Sequence, residues 1–230
     1  MTSHPDPRAA LLEAAIGHVA FDGWSEDTLK LAATDCDIPL AEAAALFPRG
    51  ALDLALGYHR SGDQKMIAKM AETDQSEMRY RDRVALAIRT RLELSDKEAV
   101  RRGSTLFSLP QNAGDGAKAI WETADGIWKS LGDSSRDVNW YTKRMTLSAV
   151  YSSVVLYWLG DASDNNEETW AFLDRRIDNV MQFEKTKAQL RENPLVKSFM
   201  AGPGKILDQI TAPSGGGHEN FPGYWSGDKN

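Results

Sequence analysis

Residues 6–50 read DPRAALLEAAIGHVAFDGWSEDTLKLAATDCDIPLAEAAALFPRG, a stretch that sets three helix starts against three helix stops. Asp6-Pro7 supplies an N-cap and then a proline at the first helical position, where a missing N–H costs nothing. Leu11, Leu12, Ala15, Ile16 and Val19 follow at helical spacing. Phe21-Asp22-Gly23 ends that helix, and Ser25 caps a second that carries Leu29, Ala32 and Ala33 inward. A turn around Asp37 leads to Pro39, which opens a third short helix through Leu40, Ala44 and Phe47 until Pro48-Arg49-Gly50 breaks it. Three helices of this length and spacing form a helix-turn-helix-like unit.

The same signals continue outward, and strand signals are nearly absent. A longer helix is predicted from Ala51 to about Thr73, and another from about Gln75 to Leu94 with Val84, Ile88 and Leu92 four apart. Glu98–Phe107 reads as helical, and Asn112–Gly116 as a loop or a helix start. The next helix places Ile120, Trp121, Ala124, Ile127, Trp128 and Leu131 on one broad face, and Gly132-Asp133-Ser134 ends it. From Asn139 to Leu159 the chain is apolar on nearly every side after Arg144, the mark of a buried helix. Its small residues Ser148, Ala149, Ser152 and Ser153 suit close packing of neighbouring backbones or room for a ligand. Asp164 or Asn165 caps a last helix with Trp170, Leu173, Ile177 and Val180 toward the core and Asp174, Arg175 and Asp178 outward.

A chain of 230 residues is long enough for one large domain or a small one plus a larger one. Apolar content of 42% and charged content of 26% are those of an ordinary globular protein. A net charge of −6 and a pI near 5.3 argue against a general polyanion binder. The single cysteine, Cys36, cannot close an internal disulfide and reads as a small packing residue in a reducing compartment. No secretory or transit pattern opens the chain, and no apolar run is long enough to span a bilayer. The expected location is therefore the cytoplasm, with membrane contact from the surface.

Catalytic chemistry finds no foothold. The four histidines, at 4, 18, 59 and 218, match no zinc spacing, and no phosphate-loop, nucleophile-elbow or zinc-protease pattern occurs. No catalytic residue, metal ligand or cofactor is expected. DNA reading is expected to be absent as well. Residues 25–48 hold one base, Lys30, against Glu26, Asp27, Asp35, Asp37 and Glu42, and the third helix is almost all alanine and leucine. Phosphates would be repelled and no base edge read.

Two segments point to partners instead. Asp137, Asn139, Trp140, Tyr141 and Arg144 combine the residue types that dominate interface hot spots. They equally suit a helix start capped by Asp137 with Trp140 tucked into the core. Between Lys185 and Ile210, Lys185, Lys187, Arg191, Lys197 and Lys205 face only Glu192 and Asp208, among Leu195, Phe199, Met200, Ile206 and Leu207. Such a basic, apolar segment suits a membrane interface. From Ser214 the chain turns glycine-rich and polar, a composition that does not support a packed core.

At these residues a family resemblance emerges. DVNWYTKRMTLSAVYSSVVLYWLGDAS (137–163) and TWAFLDRRI (169–177) resemble the ubiquinone biosynthesis accessory proteins known as the ninth Coq protein. LFPRGALDLALGYHR (46–60), GSTLFSLPQ (103–111) and DGIW (125–128) are similar too. The resemblance implies an all-α, TetR-like helical bundle whose helix-turn-helix unit is degenerate. It implies a non-enzymatic factor that binds an isoprenoid lipid or quinone intermediate and presents demethoxyubiquinone to its hydroxylase at the membrane surface. The family's hydroxylase-docking patch matches Asp125, Ile127, Asp137, Asn139, Trp140, Tyr141 and Arg144. Two departures stand out. The mitochondrial targeting segment of eukaryotic members is missing, which points to the cytoplasmic face of a bacterial inner membrane. Gly202-Pro203-Gly204 also interrupts the segment matching their C-terminal amphipathic helix.

The expected division is a helix-turn-helix-like unit at 7–50, a lipid-binding and docking domain at 51–190, a basic amphipathic segment at 191–212 and a tail at 213–230. Leu147, Tyr151, Val154, Val155 and Trp158 are expected to line the lipid site, and Leu195, Phe199, Met200, Ile206 and Leu207 to touch the membrane. A homodimer suits the fold, though nothing in the sequence fixes it. The competing reading is a TetR-like transcriptional regulator with an apolar ligand.

Overall fold

The computed structural model describes residues 6–192, with side chains as far as Gln182. Nine α-helices and one 3-10 turn make up the described chain, and no strand occurs among its described residues. The helices are α1 (Pro7–Asp22), α2 (Glu26–Asp35), α3 (Leu40–Leu46), α4 (Ala51–Glu72), α5 (Tyr80–Glu93), α6 (Lys97–Phe107), α7 (Ala113–Ser130), α8 (Val138–Gly160) and α9 (Glu167–Glu192), with the 3-10 turn at Asp164–Asn166. They divide into two compact units. Of the described residues, one holds 6–77 and 86–123 and the other 78–85 and 124–192, so the division falls inside α5 and α7.

The first unit is built on the predicted caps. Asp6 accepts hydrogen bonds from the backbone N–H groups of Arg8 and Ala9, and Ser25 from that of Thr28. These bonds satisfy donors that a helix start leaves open. Leu11, Ala15 and Val19 of α1 close over Leu29, Ala32 and Ala33 of α2, with Phe47, Leu54 and Ala99 completing the core. Each large apolar side chain removed from water contributes roughly 1.5–3 kcal/mol. Trp24 crosses the core and donates its indole N–H to the Ala99 carbonyl at 2.9 Å. Gly50, at φ 55°, forms the sharp entry to α4, and a Cβ there would lie 1.6 Å from a Glu26 carboxylate oxygen. Only glycine fits that conformation and that space.

Three expectations are adjusted. Helix α3 ends at Leu46 rather than running through Phe47, which is buried just beyond it together with Ala43, while Leu40 and Ala44 are exposed. Helix α5 starts at Tyr80 rather than near Gln75 because the polar run before it makes turn bonds. Gln75 donates to the Met70 carbonyl at the end of α4, and the Ser76 N–H donates to Asp74. Helix α8 is not buried all round. Trp140, Arg144, Leu147, Tyr151, Val154 and Trp158 form a buried stripe, while Met145 is 57% exposed and Leu156 68%. The composition of this helix marks no polar side, yet its neighbours cover only part of it.

The histidine of α4 has a defined place in the first unit. His59 Nε2 lies 2.8 Å from the Thr123 hydroxyl and 3.2 Å from the Ala119 carbonyl. Thr123 donates in turn to Asp63, which receives the Arg91 Nε–H at 2.7 Å. Arg91 also donates to the His59 carbonyl and the Ser95 hydroxyl. Gly62 makes room for it, since a Cβ there would meet the guanidinium at 2.6 Å. Burial pushes the His59 imidazole down to about 4, against the pull of neighbouring Asp63.

The second unit is organised on α8. Leu173 and Ile177 of α9 are buried, with α8 and α9 packed against each other. The connection between them is held by Asp161, whose carboxylate receives Ser163 N–H, Thr169 N–H and the Thr169 hydroxyl. Those bonds stabilise the charged form and draw its pKa well below the usual carboxylate range.

Candidate ligand pocket and partner face on α8

The first turn of α8 is fixed by Asp137, which accepts the Asn139 backbone N–H at 3.0 Å and its side-chain amide at 2.8 Å. One turn further, Arg144 is only 1% exposed in a helix otherwise poor in charge. A buried guanidinium needs a carboxylate and filled hydrogen bonds. Arg144 finds Asp125 of α7 at 2.6 Å, Asp133 of the α7–α8 connection at 3.2 Å and the Trp140 carbonyl at 3.1 Å. Its guanidinium carbon stands 4.0 Å from the centre of the Trp140 ring. Asp133 is shared, for Lys143 Nζ donates to it at 2.7 Å and to Ser135 at the same distance. Burial pushes the Asp133 carboxyl up, but bonds from Lys143, Ser135 and Arg144 outweigh it, and the pKa falls below the usual range.

Beside this ion cluster lies a cavity of about 210 Å3. Its walls come from Tyr80, Arg81 and Val84 of α5, Trp128 of α7, and Ile177, Val180 and Met181 of α9. Helix α8 supplies Asn139, Thr142, Lys143, Thr146, Leu147 and Val150. The six recur at three- and four-residue steps, so they form one stripe of the helix. The stripe is polar over its first two turns and apolar over the next. Tyr80 stacks on Trp128 with ring centres 5.7 Å apart, and Lys143 Nζ is 5.6 Å from the Trp128 ring centre. Burial pushes the Tyr80 phenol up, and the nearby Asp133 charge adds to it. The cavity is a mostly apolar recess with amide, hydroxyl and aromatic groups at one side.

The expected docking residues come together only in part. Asp125, Trp140 and Arg144 join in one cluster, but Ile127, Trp140 and Arg144 are buried. Asp137 is exposed, and Asn139 and Tyr141 are half-buried. Tyr141 meets Trp140 edge-on at 4.8 Å. Of the residues expected to line a lipid site, Leu147 is a wall of this recess. Tyr151, Val154 and Trp158 are buried along the same stripe, and Val155 is half-buried, none of the four among the walls of this recess. Leu195, Phe199, Met200, Ile206 and Leu207 lie outside the described residues.

Sequence reasoning misses Tyr80, Arg81, Thr142, Lys143, Thr146 and Met181 as wall residues, and Asp133 as the shared carboxylate. By sequence, Asp133 is only part of a helix stop. The available signal is Arg144 itself, a charge inside an apolar helix that requires a partner nearby.

Among the described residues no group of three or more His, Cys, Asp or Glu could hold a metal ion. No described helix is long and apolar enough to cross a membrane. Helix α3 exposes Leu40, Ala41, Glu42, Ala44 and Ala45, a surface without a base.

The family model COQ9 matches residues 113–184, which cover α7, α8 and most of the described α9. The human ubiquinone biosynthesis protein COQ9, mitochondrial, is 28% identical over 212 residues, spanning 87% of this chain and 66% of its own length. The Xenopus tropicalis protein of the same name is 31% identical over 180 residues, spanning 74% and 56%. A probable ubiquinone biosynthesis protein coq9 of Dictyostelium discoideum is 28% identical, spanning 79% and 62%. The chain thus spans from 56% to 67% of the length of the curated relatives it matches. A crystal structure of a TetR transcriptional regulator from Nitrosomonas europaea superposes with a TM-score of 0.61 at 19% identity, over 75% of this chain and 97% of the other. The fold is TetR-like and all-α, as expected.

Proposed function

The chain belongs to the COQ9 family, and from that premise we propose that it serves ubiquinone biosynthesis without catalysing a step, by holding an isoprenoid quinone precursor for the demethoxyubiquinone hydroxylase. The observation that carries this reading is the apolar recess of about 210 Å3 beside the first turns of α8. Sites for drug-sized ligands run at about 300–1,000 Å3, so this recess suits one end of a long lipid, with the remainder outside it. Each 100 Å2 of apolar lipid surface removed from water contributes roughly 2.5 kcal/mol. Among the described residues no carboxylate lines the recess, and its polar groups are the Asn139 amide, the Thr142, Thr146 and Tyr80 hydroxyls, the Trp128 indole N–H and the cations Arg81 and Lys143.

Hydroxylase docking falls to the start of α8. Asp137 is exposed and Asn139 and Tyr141 are half-buried, while Trp140 packs on Tyr141 and is held by Arg144 and, through it, Asp125; Ile127 is buried. Asn139 also lines the recess, so a partner covering this turn would stand at the ligand. The membrane-facing role falls to Leu195, Phe199, Met200, Ile206 and Leu207 at the cytoplasmic face of a bacterial inner membrane, in a monomer or a homodimer. The regulator reading is supported by the fold alone, which does not determine function.

The test is organic extraction of the purified protein followed by mass spectrometry. Near-stoichiometric prenylated quinone precursor is expected. A stable, monodisperse protein that yields no lipid would remove the carrier role.

A further inference from the structure

The charges around the recess determine which head group it can take. Two cations line it, Arg81 and Lys143, and among the described residues no carboxylate does. Alone, that would favour an anionic ligand. Both cations, however, already stand in ion pairs with carboxylates, although the buried Arg81 Nε–H makes no hydrogen bond. Lys143 Nζ is held by Asp133 at 2.7 Å and by Ser135. Arg81 is bonded to Asp178, with Asp174 at 3.8 Å and Asp82 at 3.4 Å. Asp133 is drawn further inward by Arg144, and Asp82 is shared with Arg79 at 2.7 Å. An arriving carboxylate or phosphate would have to displace one of these pairs or enter an apolar recess without a counter-charge, and either is costly. A neutral oxygen needs no counter-charge: the buried Trp128 indole N–H and Arg81 Nε–H make no hydrogen bond, Asn139 keeps a second amide proton beside the one given to Asp137, and the Thr142 hydroxyl, which donates to the Asn139 carbonyl, can still accept.

Building on the reading of the recess as an isoprenoid site, we propose that it is charge-selective: it accepts a neutral alcohol, phenol or quinone head and rejects the same tail ending in a carboxylate or phosphate. The carboxylates Asp133, Asp174 and Asp178 are the specificity determinants, although none of them touches the ligand. The reaction that supplies this ligand must accordingly deliver it uncharged.

Matched ligands separate the two ideas. Farnesol, farnesoic acid and farnesyl diphosphate share one isoprenoid tail and differ in head charge. Equilibrium dialysis of the full chain at neutral pH is expected to give farnesol a Kd at least roughly tenfold below those of both anions. In Asp174→Asn/Asp178→Asn, which leaves Arg81 with Asp82 alone and alters only partly exposed side chains, diphosphate binding should strengthen roughly tenfold while farnesol binding stays as it was. Asp178→Asn alone should give the same trend to a smaller degree, with helical content by circular dichroism reporting that each variant folds. Val150→Trp, which fills the recess, should abolish binding of all ligands. Anions that bind the native protein as tightly as farnesol, and are lost in Val150→Trp, would overturn the charge selection and leave the site standing. Failure of all three ligands to bind, or binding indifferent to Val150→Trp, would overturn the pocket itself and the selection with it.

Discussion

Two arginines, Arg91 and Arg144, are each 1% exposed, and their surroundings differ in a way that separates architecture from function. Arg91 closes a circuit within the first unit. Its partners are Asp63, the His59 carbonyl and Ser95, and Asp63 returns to Thr123 and so to His59. Arg144 belongs to a chain that leads outward. Asp133 binds it on one side and Lys143 on the other, and Lys143 is a wall of the recess. A His–Asp–Thr group looks more like catalytic machinery than an Arg–Asp–Lys group does. Here the first is sealed and the second reaches an opening.

The strongest test removes each arginine in turn. Arg91→Ala strands the Asp63 charge and opens a void, so a loss of about 3–5 kcal/mol is expected, read as a shift in urea midpoint. Ligand affinity of the molecules that remain folded should not change. Arg144→Ala should cost a similar amount, and also weaken ligand retention, because Asp133 loses the group that fixes it behind Lys143. Equal effects on ligand retention from the two substitutions would erase the distinction between the circuits.

Acid tests the sealed circuit alone. His59 is neutral when folded, with its pKa pushed down to about 4, and its side chain is 16% exposed. In the unfolded chain the ring titrates near 6.5. Between those values the unfolded state binds more protons than the folded one, so stability falls as pH drops from about 6.5 to about 4 and is level for this group below that. The contribution is about 3 kcal/mol, at roughly 1.4 kcal/mol for each pH interval of one between the two pKa values. Urea unfolding of the native chain across this window should have a steeper pH slope than His59→Gln. Matching slopes would mean that His59 is not the buried neutral group described.

Much of this architecture is readable from local chemistry. Asp6, Ser25 and Asp137 cap as their positions predict, and Leu29, Ile88, Leu173 and Ile177 face inward as their spacing requires. These are contacts within one helix, or one helix against a core, and periodicity records both. The recess is not legible because it joins Val84, Trp128, Leu147 and Ile177, which are distant in sequence and individually look like ordinary core. Helix α8 shows the same limit from the other direction. Nothing in its composition tells Leu156, which is exposed, from Leu147, which is buried, because the difference lies in what packs alongside.

The smallest effect concerns the partner face and separates two neighbours that look alike in sequence. Trp140 is buried under the Arg144 guanidinium, whereas Tyr141 is half-buried and meets it edge-on. Trp140→Ala removes a core aromatic and should destabilise by about 3–5 kcal/mol. Its effect on hydroxylase capture would then mix folding with contact. Tyr141→Ala loses mainly an edge contact, on the order of 0.5–1.5 kcal/mol, so capture in a pull-down can be interpreted directly. Weaker capture by Tyr141→Ala, with the urea midpoint nearly held, would place the partner on the first turns of α8 at the mouth of the recess. Full capture by Tyr141→Ala and by Asn139→Ala would move the docking surface away from the ion cluster. Arg144 would then resemble Arg91, a buried charge whose work is done inside its own unit.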